Sequence, residues 1–151
     1  MEKCYSESLF YQIRLSAKYV KLLGEQLFEG LKIETSLDEF IALDIINNNK
    51  NLCQRDLAKM LLKDRANTGR IIAKLEERGF ISVNIDKKSN RLVKLLSLTK
   101  KGEKFTEATT KRIRPYMEYI AKGFEEEYIE KFTNTLIDFR KKLSELVETQ
   151  I

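Results

Sequence analysis

The chain contains no histidine, and this absence excludes several kinds of functional site. Histidine is the most common protein ligand of zinc, the usual general base near neutral pH and the residue that activates a serine or cysteine nucleophile. No set of acid, base and nucleophile can be assembled from the remaining residues. We therefore expect a protein that is not an enzyme, does not respond to zinc and needs no metal or cofactor.

Cysteines and long apolar runs are also scarce. The two cysteines, Cys4 and Cys53, are too few for a disulfide-stabilised scaffold, and their spacing does not match a metal-binding knuckle. No apolar run approaches the ~18 residues that cross a bilayer, and the amino terminus lacks the basic and then apolar pattern of a secretory signal. These features predict a cytoplasmic protein whose two thiols are inert and partly buried.

Positive charge is concentrated in the middle of the chain. The net charge of the 151 residues is +5, whereas residues 50–102 hold 14 Lys and Arg against 5 Asp and Glu, or +9. The other positions hold 14 basic and 18 acidic residues, or −4. This distribution is typical of a protein whose middle segment binds a polyanion. A solvated surface with chance clustering of charge is the alternative.

The first part of the chain has the apolar periodicity of helices. Steps of three and four between Leu9 and Leu31 predict a long amphipathic helix that ends near Gly30. Thr35 or Ser36 is expected to cap a second helix, because acidic residues follow in its first turn. A run of asparagines at residues 47–51 then ends that helix.

Two short helices are predicted within the basic segment. The first covers residues 54–62, and the second is capped by Asp64 and runs through Glu77. On the second helix a narrow apolar stripe would face the core. The opposite side carries hydrogen-bond donors, namely Arg65, Asn67, Arg70 and Lys74.

The periodicity changes after Gly79, which is expected to end the fourth helix. Residues 80–85 and part of 92–98 alternate between apolar and polar side chains. Residues 86–91 between them are polar and basic. This pattern predicts a β-hairpin with a positively charged tip.

Two long helices are predicted in the remainder of the chain. Thr99 is expected to cap the first, Pro115 to kink it, and Gly123 to separate it from the second. The last helix carries an apolar stripe that is too long to pack only against a small neighbouring domain.

The order of helix, tight turn, helix and basic hairpin is that of a winged helix-turn-helix. The major groove of DNA accommodates one α-helix, and hydrogen bonds distinguish the base edges there. Such a helix needs donors on its outer face near the amino end. Arginine can bind guanine and asparagine can bind adenine, while Thr68 offers a hydroxyl and a methyl group. The hairpin cations Lys87, Lys88 and Arg91 would contact phosphates or a minor groove.

Each of these residues also has a simpler interpretation. Arg65 and Lys74 can be ordinary solvated helix residues. Gly69 would let the backbone approach DNA closely, or it is a small residue where two helices cross. The hairpin lysines can protect an edge strand from pairing with another chain.

Three segments resemble the MarR family of bacterial transcriptional regulators. Residues 54–58 (QRDLA) resemble the family's Q-x-x-L-A helix. Residues 64–81 (DRANTGRIIAKLEERGFI) resemble its recognition helix and the closing L-E-x-x-G-x-I. Residues 96–102 (LSLTKKG) match the L-x-L-T-x-x-G that joins the wing to the fifth helix. The wing departs from the family pattern, because Ser89-Asn90-Arg91 stands where Asp-x-Arg is expected; Asp86 is a candidate to support Arg91 instead.

The resemblance implies a mainly α fold with a small β-hairpin wing. Residues 1–151 would form a single domain, in which 1–34 and 103–151 supply dimerisation helices and 35–102 form the winged helix-turn-helix lobe. The implied function is a homodimeric, sequence-specific regulator of a palindromic operator in double-stranded DNA, typically a repressor released by a small ligand or another signal. The expected DNA-binding residues are Gln54, Arg55, Arg65, Asn67, Thr68, Arg70, Lys74, Lys87, Lys88 and Arg91.

Many members of this family sense a small aromatic compound in a cleft beside the dimer helices, and some sense peroxides through a cysteine. Candidate lining residues for such a cleft are Phe10, Tyr11, Phe40, Tyr116 and Tyr119. Aromatic residues at these spacings also suit an ordinary core.

Two other classes of protein fit the same pattern less well. A low-specificity architectural or nucleoid-type DNA-binding protein would keep the basic lobe but discriminate little between sequences. A winged helix that binds only proteins would not need the +9 segment. A footprint on the promoter beside its own gene would separate the sequence-specific regulator from the architectural protein.

Overall fold

The structure, a computed structural model, describes residues 4–88 and 90–147, with the backbone alone at Lys88 and Arg91. After a 3₁₀ turn at Tyr5–Glu7, six α-helices and three β-strands follow in this described part. The helices are α1 (Leu9–Gly30), α2 (Leu37–Asn48), α3 (Gln54–Leu61), α4 (Arg65–Glu77), α5 (Lys100–Ala121) and α6 (Glu126–Leu146). The strands are β1 (Leu52–Cys53), β2 (Ile81–Lys88) and β3 (Arg91–Leu98). The predicted fold class, mainly α with a small hairpin, is confirmed.

The predicted helix caps are formed by local hydrogen bonds. Ser36 Oγ accepts from the Glu39 backbone N–H at 3.2 Å, and the Glu39 carboxylate accepts from the Ser36 N–H at 3.0 Å. This reciprocal pair satisfies two donors that the first turn of α2 would leave open. Thr99 Oγ1 likewise accepts from the Gly102 N–H at 3.1 Å at the start of α5.

The sheet has the strand order β1-β3-β2, and both pairings are antiparallel. The hairpin of β2 and β3 is longer than predicted, because its ladder runs from Ile81 opposite Leu98 to Lys88 opposite Arg91. The turn is correspondingly short, and Asn90 adopts a φ of 60° in it. The short strand β1 was not predicted. It pairs Leu52 with Leu96 and Cys53 with Leu95.

Backbone contacts divide the chain into two compact units, residues 1–41 and residues 42–151. In the first unit Phe28 is the buried residue of α1. Its ring lies 5.4 Å from the ring of Phe40, which is buried at the start of α2.

The hydrophobic core of the second unit lies between α3, α4, the sheet and the part of α2 that belongs to this unit. Its buried members are Ala42, Leu43, Ile46, Leu52, Leu57, Ile72, Leu75, Phe80, Ile81 and Leu96. Phe105 of α5 stacks on Phe80 with 4.5 Å between the ring centroids. This core packs α4 against the base of the hairpin, so that the outward face of α4 has a defined position.

Helices α5 and α6 are separated at Gly123, as predicted, and α5 continues through Pro115 without ending. No residue of α6 is buried, although the helix carries a stripe of large apolar side chains. Over the described residues, no helix combines the length and the apolar character that crossing a membrane requires.

Candidate nucleic-acid interface

The connection between α3 and α4 is a tight turn of three residues. Leu62 ends α3 in the left-handed conformation with a φ of 50°, and the Lys63 N–H donates to the Ala58 carbonyl at 3.0 Å. Asp64 then caps α4, its Oδ1 accepting from the Asn67 N–H at 2.7 Å. The prediction that α3 runs through Leu62 was wrong by one residue, and the Leu62 side chain is exposed.

The inward face of α4 consists of Thr68, Ile72 and Leu75, all of which are buried. Thr68 is fully buried, and its Oγ1 donates to the Asp64 carbonyl at 2.9 Å. This burial speaks against the prediction that Thr68 contacts DNA. At position 68 the helical phase points the side chain toward the core, and its polar atom is used within the helix.

The outward face of α4 displays the predicted donors together. Arg65, Asn67, Arg70 and Lys74 are all exposed, and they span the helix from its first residue to its last turn. A helix with an apolar inner stripe and a donor-rich outer face has the shape and chemistry to enter a major groove.

Asp64, Asn67 and Arg70 form a hydrogen-bonded series along this face. Asn67 Nδ2 donates to Asp64 Oδ2 at 2.5 Å, and an Arg70 guanidinium nitrogen donates to Asn67 Oδ1 at 3.0 Å. The bonds from the Asn67 backbone and side chain, with a smaller contribution from the charge of Arg70, hold the pKa of Asp64 below its usual value. Sequence reasoning identified Asp64 only as a cap. The i, i+3 spacing of the three polar residues was the available signal.

Two predicted residues of α3 differ in their surroundings. Gln54 Nε2 donates to the Arg65 carbonyl at 3.3 Å, which links the starts of α3 and α4. A Cβ added to Gly69 would lie 3.3 Å from the same nitrogen, so this glycine makes room where the two helices cross. Arg55 is exposed on the first turn of α3.

The wing adds further positive charge. Lys87 is exposed on β2, and its backbone N–H donates to the Asp86 carboxylate at 2.7 Å. Lys94, which the sequence reasoning did not single out, is exposed on β3 opposite Ile85. The side chains of Lys88 and Arg91, and the support of Arg91 by Asp86, lie outside the described residues and stay predictions.

Contacts at the base of the wing connect α4, β2 and α5. Thr99 Oγ1 lies 2.6 Å from the Gly79 carbonyl oxygen and 3.2 Å from that of Phe80. Lys101 Nζ donates to the Arg78 carbonyl at 2.6 Å and lies 4.8 Å from the centre of the Phe80 ring. Gly79, with a φ of 72°, supplies the left-handed conformation that ends α4 here. The wing therefore leaves the core in a defined direction.

The five aromatic candidates for a ligand cleft have different environments. In the first unit Phe10 is exposed, Tyr11 is half-buried and Phe40 is buried against Phe28. In the second unit Tyr116 and Tyr119 are exposed, and Tyr119 lines an open groove of about 590 Å³ with Pro115 and Phe124. A shared cleft formed by all five stays a prediction.

The two thiols also differ. Cys53 is half-buried, and its Sγ donates to the Asp56 carboxylate at 3.0 Å. Cys4 is exposed, so the expectation that it is partly buried was wrong. A hydrogen bond with the Ser6 hydroxyl, at 3.0 Å, lowers the pKa of the Cys4 thiol.

Helix-turn-helix and wing together define the class of the fold, a winged helix-turn-helix. The family model described as MarR family matches residues 36–93, which contain α3, α4 and most of the wing. A Bacillus subtilis (strain 168) protein described as the uncharacterized HTH-type transcriptional regulator YybA is 29% identical over 111 residues, 74% of this chain and 73% of that protein.

Solved structures of low sequence identity share the fold. The MarR/EmrR family transcriptional regulator from Acinetobacter sp. ADP1 superposes with a TM-score of 0.78 at 21% identity, covering 90% of this chain and 94% of that one. The S. aureus MepR structure, a complex with DNA, superposes with a TM-score of 0.73 at 21% identity, covering 92% and 99%. Over residues 36–93 the chain thus matches the MarR family, and it shares the winged helix-turn-helix fold of these solved structures.

Proposed function

We propose that this protein is a cytoplasmic, sequence-specific transcriptional regulator that inserts α4 into the major groove of its operator. The observation that carries the proposal is the division of α4 into a buried face and a donor face. Thr68, Ile72 and Leu75 are held in the core, which leaves Arg70 and its exposed neighbours to meet base edges. Arginine suits guanine in this setting, because its planar fork can donate to both O6 and N7.

The positive charge around α4 supports binding to the DNA backbone. Arg55 is exposed on the first turn of α3, and the wing presents Lys87 and Lys94. Cations at these positions would neutralise phosphates and fix the register of the protein on DNA without reading its sequence. The S. aureus MepR structure, a complex with DNA, has the same fold.

A homodimer is part of the proposal, because the terminal helices expose large apolar side chains in water. In the first unit α1 exposes Leu9, Phe10, Tyr19, Val20, Leu22 and Leu23. In the second unit the stripe on α6 comprises Tyr128, Phe132, Leu136, Leu143 and Leu146, and none of its members is buried. A second copy of the chain is the occupant we propose for these faces, since two-fold symmetry pairs each face with an equally apolar one.

Dimerisation predicts the form of the operator. Two copies of α4 related by a two-fold axis would read two half-sites about one helical turn apart, so the site is expected to be a palindrome. We further propose that the regulator is a repressor released by a signal, with a small aromatic compound as the effector class. The aromatic side chains Phe10, Tyr11, Tyr116 and Tyr119, which are exposed or half-buried, support this choice.

The decisive experiment is selection of bound sites from random double-stranded DNA by the full chain. We expect the selected sites to share a palindrome. The affinity of the protein for this palindrome is then compared with its affinity for a scrambled site at one salt concentration. Arg70→Ala should lose about 5- to 150-fold on the operator and less on the scrambled site. Lys141→Ala is the matched control, because Lys141 is an exposed cation on the side of α6 opposite its apolar stripe. Equal losses for Arg70→Ala on both DNAs, or selection of no common sequence, would contradict the proposal.

The dimer is tested separately by sedimentation. Wild-type protein should be dimeric at low micromolar concentration, and Phe132→Glu should dissociate it because a carboxylate would be buried in the apolar interface. Lys141→Ala should leave the dimer intact. A compact, stable wild-type monomer at that concentration would contradict the dimer.

A further inference from the structure

The amide of Asn67 is already engaged at both of its ends. Its Nδ2 donates to Asp64 Oδ2 at 2.5 Å, and its Oδ1 accepts from an Arg70 guanidinium nitrogen at 3.0 Å. The orientation of the amide follows from these partners, because a carboxylate only accepts and a guanidinium only donates. The side chain of Asn67 therefore has one hydrogen-bonding arrangement that satisfies both neighbours.

An asparagine that reads adenine needs the same two atoms. It donates through Nδ2 to N7 and accepts at Oδ1 from the N6 amino group, with both atoms directed at one base. Asn67 keeps a second N–H on Nδ2 and a second lone pair on Oδ1, so its bonds to Asp64 and Arg70 restrict the orientation of the amide without using all of its capacity. Hydrogen bonds to ionised groups are the stronger ones, so these two bonds resist rotation of the amide.

Arg70 can still donate hydrogen bonds to a base in this arrangement. One of its guanidinium nitrogens donates to Asn67, and a guanidinium carries five N–H donors, so a fork remains for the O6 and N7 atoms of guanine. Being held by Asn67 also reduces the freedom that a long exposed side chain loses on binding.

We infer that Asp64 and Asn67 are positioning residues that hold the Arg70 guanidinium for one base pair. The series is anchored by the cap of α4. Asp64 Oδ1 accepts from the Asn67 N–H at 2.7 Å, while its other oxygen orients the Asn67 amide. One carboxylate thus sets both the start of α4 and the direction of its base-reading arginine. This inference rests on the proposed function, since it assumes that α4 enters the major groove.

The test is a base-preference profile of the full-length dimer. Starting from the selected operator, affinity is measured for every single-base-pair change in one half-site. The variants are Arg70→Ala, Asn67→Ala, their double mutant and Asp64→Asn, with Lys141→Ala as the control. Asp64→Asn still offers an oxygen to the Asn67 N–H and so keeps the cap. It presents an NH₂ group where Asp64 Oδ2 now accepts, and this removes the anchor of the Asn67 amide.

Arg70→Ala should reduce the ratio of affinities for the preferred and the replaced base pair by about 5- to 150-fold, and it should do so at one position. Asn67→Ala and Asp64→Asn should weaken the preference at that same base pair and leave all others unchanged. The double mutant should be no worse than Arg70→Ala, because Asn67 acts through Arg70. A merely structural role would lower affinity for all sequences alike and leave the profile unchanged, which would overturn the inference.

Failure of the inference differs from failure of the proposed function. If wild-type protein is selective and Asn67→Ala flattens a different base pair from Arg70→Ala, Asn67 reads that base itself, and the inference alone is overturned. Additive losses in the double mutant overturn it as well. A flat profile for the wild type overturns the proposed function and the inference together.

Discussion

Gly102 lies directly against the backbone of Phe80, so that a Cβ added to Gly102 would overlap the Phe80 carbonyl oxygen. Gly102 is the third residue of α5 and is buried, and its N–H donates to Thr99 Oγ1. The same Phe80 carbonyl oxygen accepts from the Thr99 backbone N–H at 3.0 Å. This close approach joins the end of α4 to the start of α5 beneath the wing.

Gly102→Ala is therefore expected to destabilise the protein. Alanine is favoured over glycine in a helix by about 1 kcal/mol, but the overlap with backbone atoms should cost more and leave a net loss of about 1–3 kcal/mol. The measurement is the free energy of unfolding in urea. Gly30→Ala is the control, because nothing lies within 4 Å of a Cβ at Gly30 in α1. A neutral or stabilising effect of Gly102→Ala would show that α5 moves away from the Phe80 backbone at little cost.

Thr68→Val should affect stability and not base preference. Valine has the shape of threonine but lacks the hydroxyl that donates to the Asp64 carbonyl, so a loss of about 1 kcal/mol in unfolding free energy is expected. Thr68 is fully buried, and the affinities for operator and scrambled DNA should therefore fall together or not at all. Loss of preference at one base pair would restore Thr68 as a reading residue.

Replacing Lys87 and Lys88 by alanine should weaken binding to all DNA by a similar factor. Contacts to phosphates carry no sequence information, and each one lost should reduce the slope of log K against log salt by roughly one unit. Affinities of wild type and the double variant are compared at several salt concentrations on operator and scrambled DNA. An unchanged slope would mean that these lysines do not touch phosphates.

The two thiols should be alkylated at different rates. Cys4 is exposed and its pKa is lowered by the bond with Ser6, so it carries more of the reactive thiolate. Cys53 is half-buried, and its thiol donates a hydrogen bond to the Asp56 carboxylate. Iodoacetamide at neutral pH, followed by peptide mass spectrometry, should modify Cys4 first. Ser6→Ala should slow Cys4 without changing Cys53, and equal rates in the wild type would contradict the assignment.

Acid should remove the contribution of Asp64 to stability. Its pKa is lower in the folded chain than the ordinary 3.8, chiefly because of the Asn67 N–H and amide. The charged form thus stabilises the fold at all pH values above 3.8, and this contribution is lost as the pH falls through the lowered folded value. The difference in unfolding free energy between wild type and Asp64→Asn should be constant near neutrality and shrink in acid. A difference that grows as the pH falls would contradict this sign.

The sequence by itself determined the elements that depend on near neighbours. Ser36, Asp64 and Thr99 cap helices through bonds to residues three positions ahead, and such bonds are legible in a linear pattern. The apolar stripe of α4 likewise predicted which face of that helix is buried. The charge of residues 50–102 predicted that the polyanion-binding surface lies in this segment, and that stays a prediction.

Only the tertiary structure decided the features that join distant residues or depend on side-chain direction. Strand β1 has two residues, too few for a periodic signal, and exists because β3 offers it an edge. The overlap of Gly102 with Phe80 brings together residues far apart in the chain. Thr68 faces the core although it stands between two exposed donors, because helical rotation of about 100° per residue turns it inward. The bond between Asn67 and Arg70 depends on rotamers, which the order of residues leaves open and the packed fold selects.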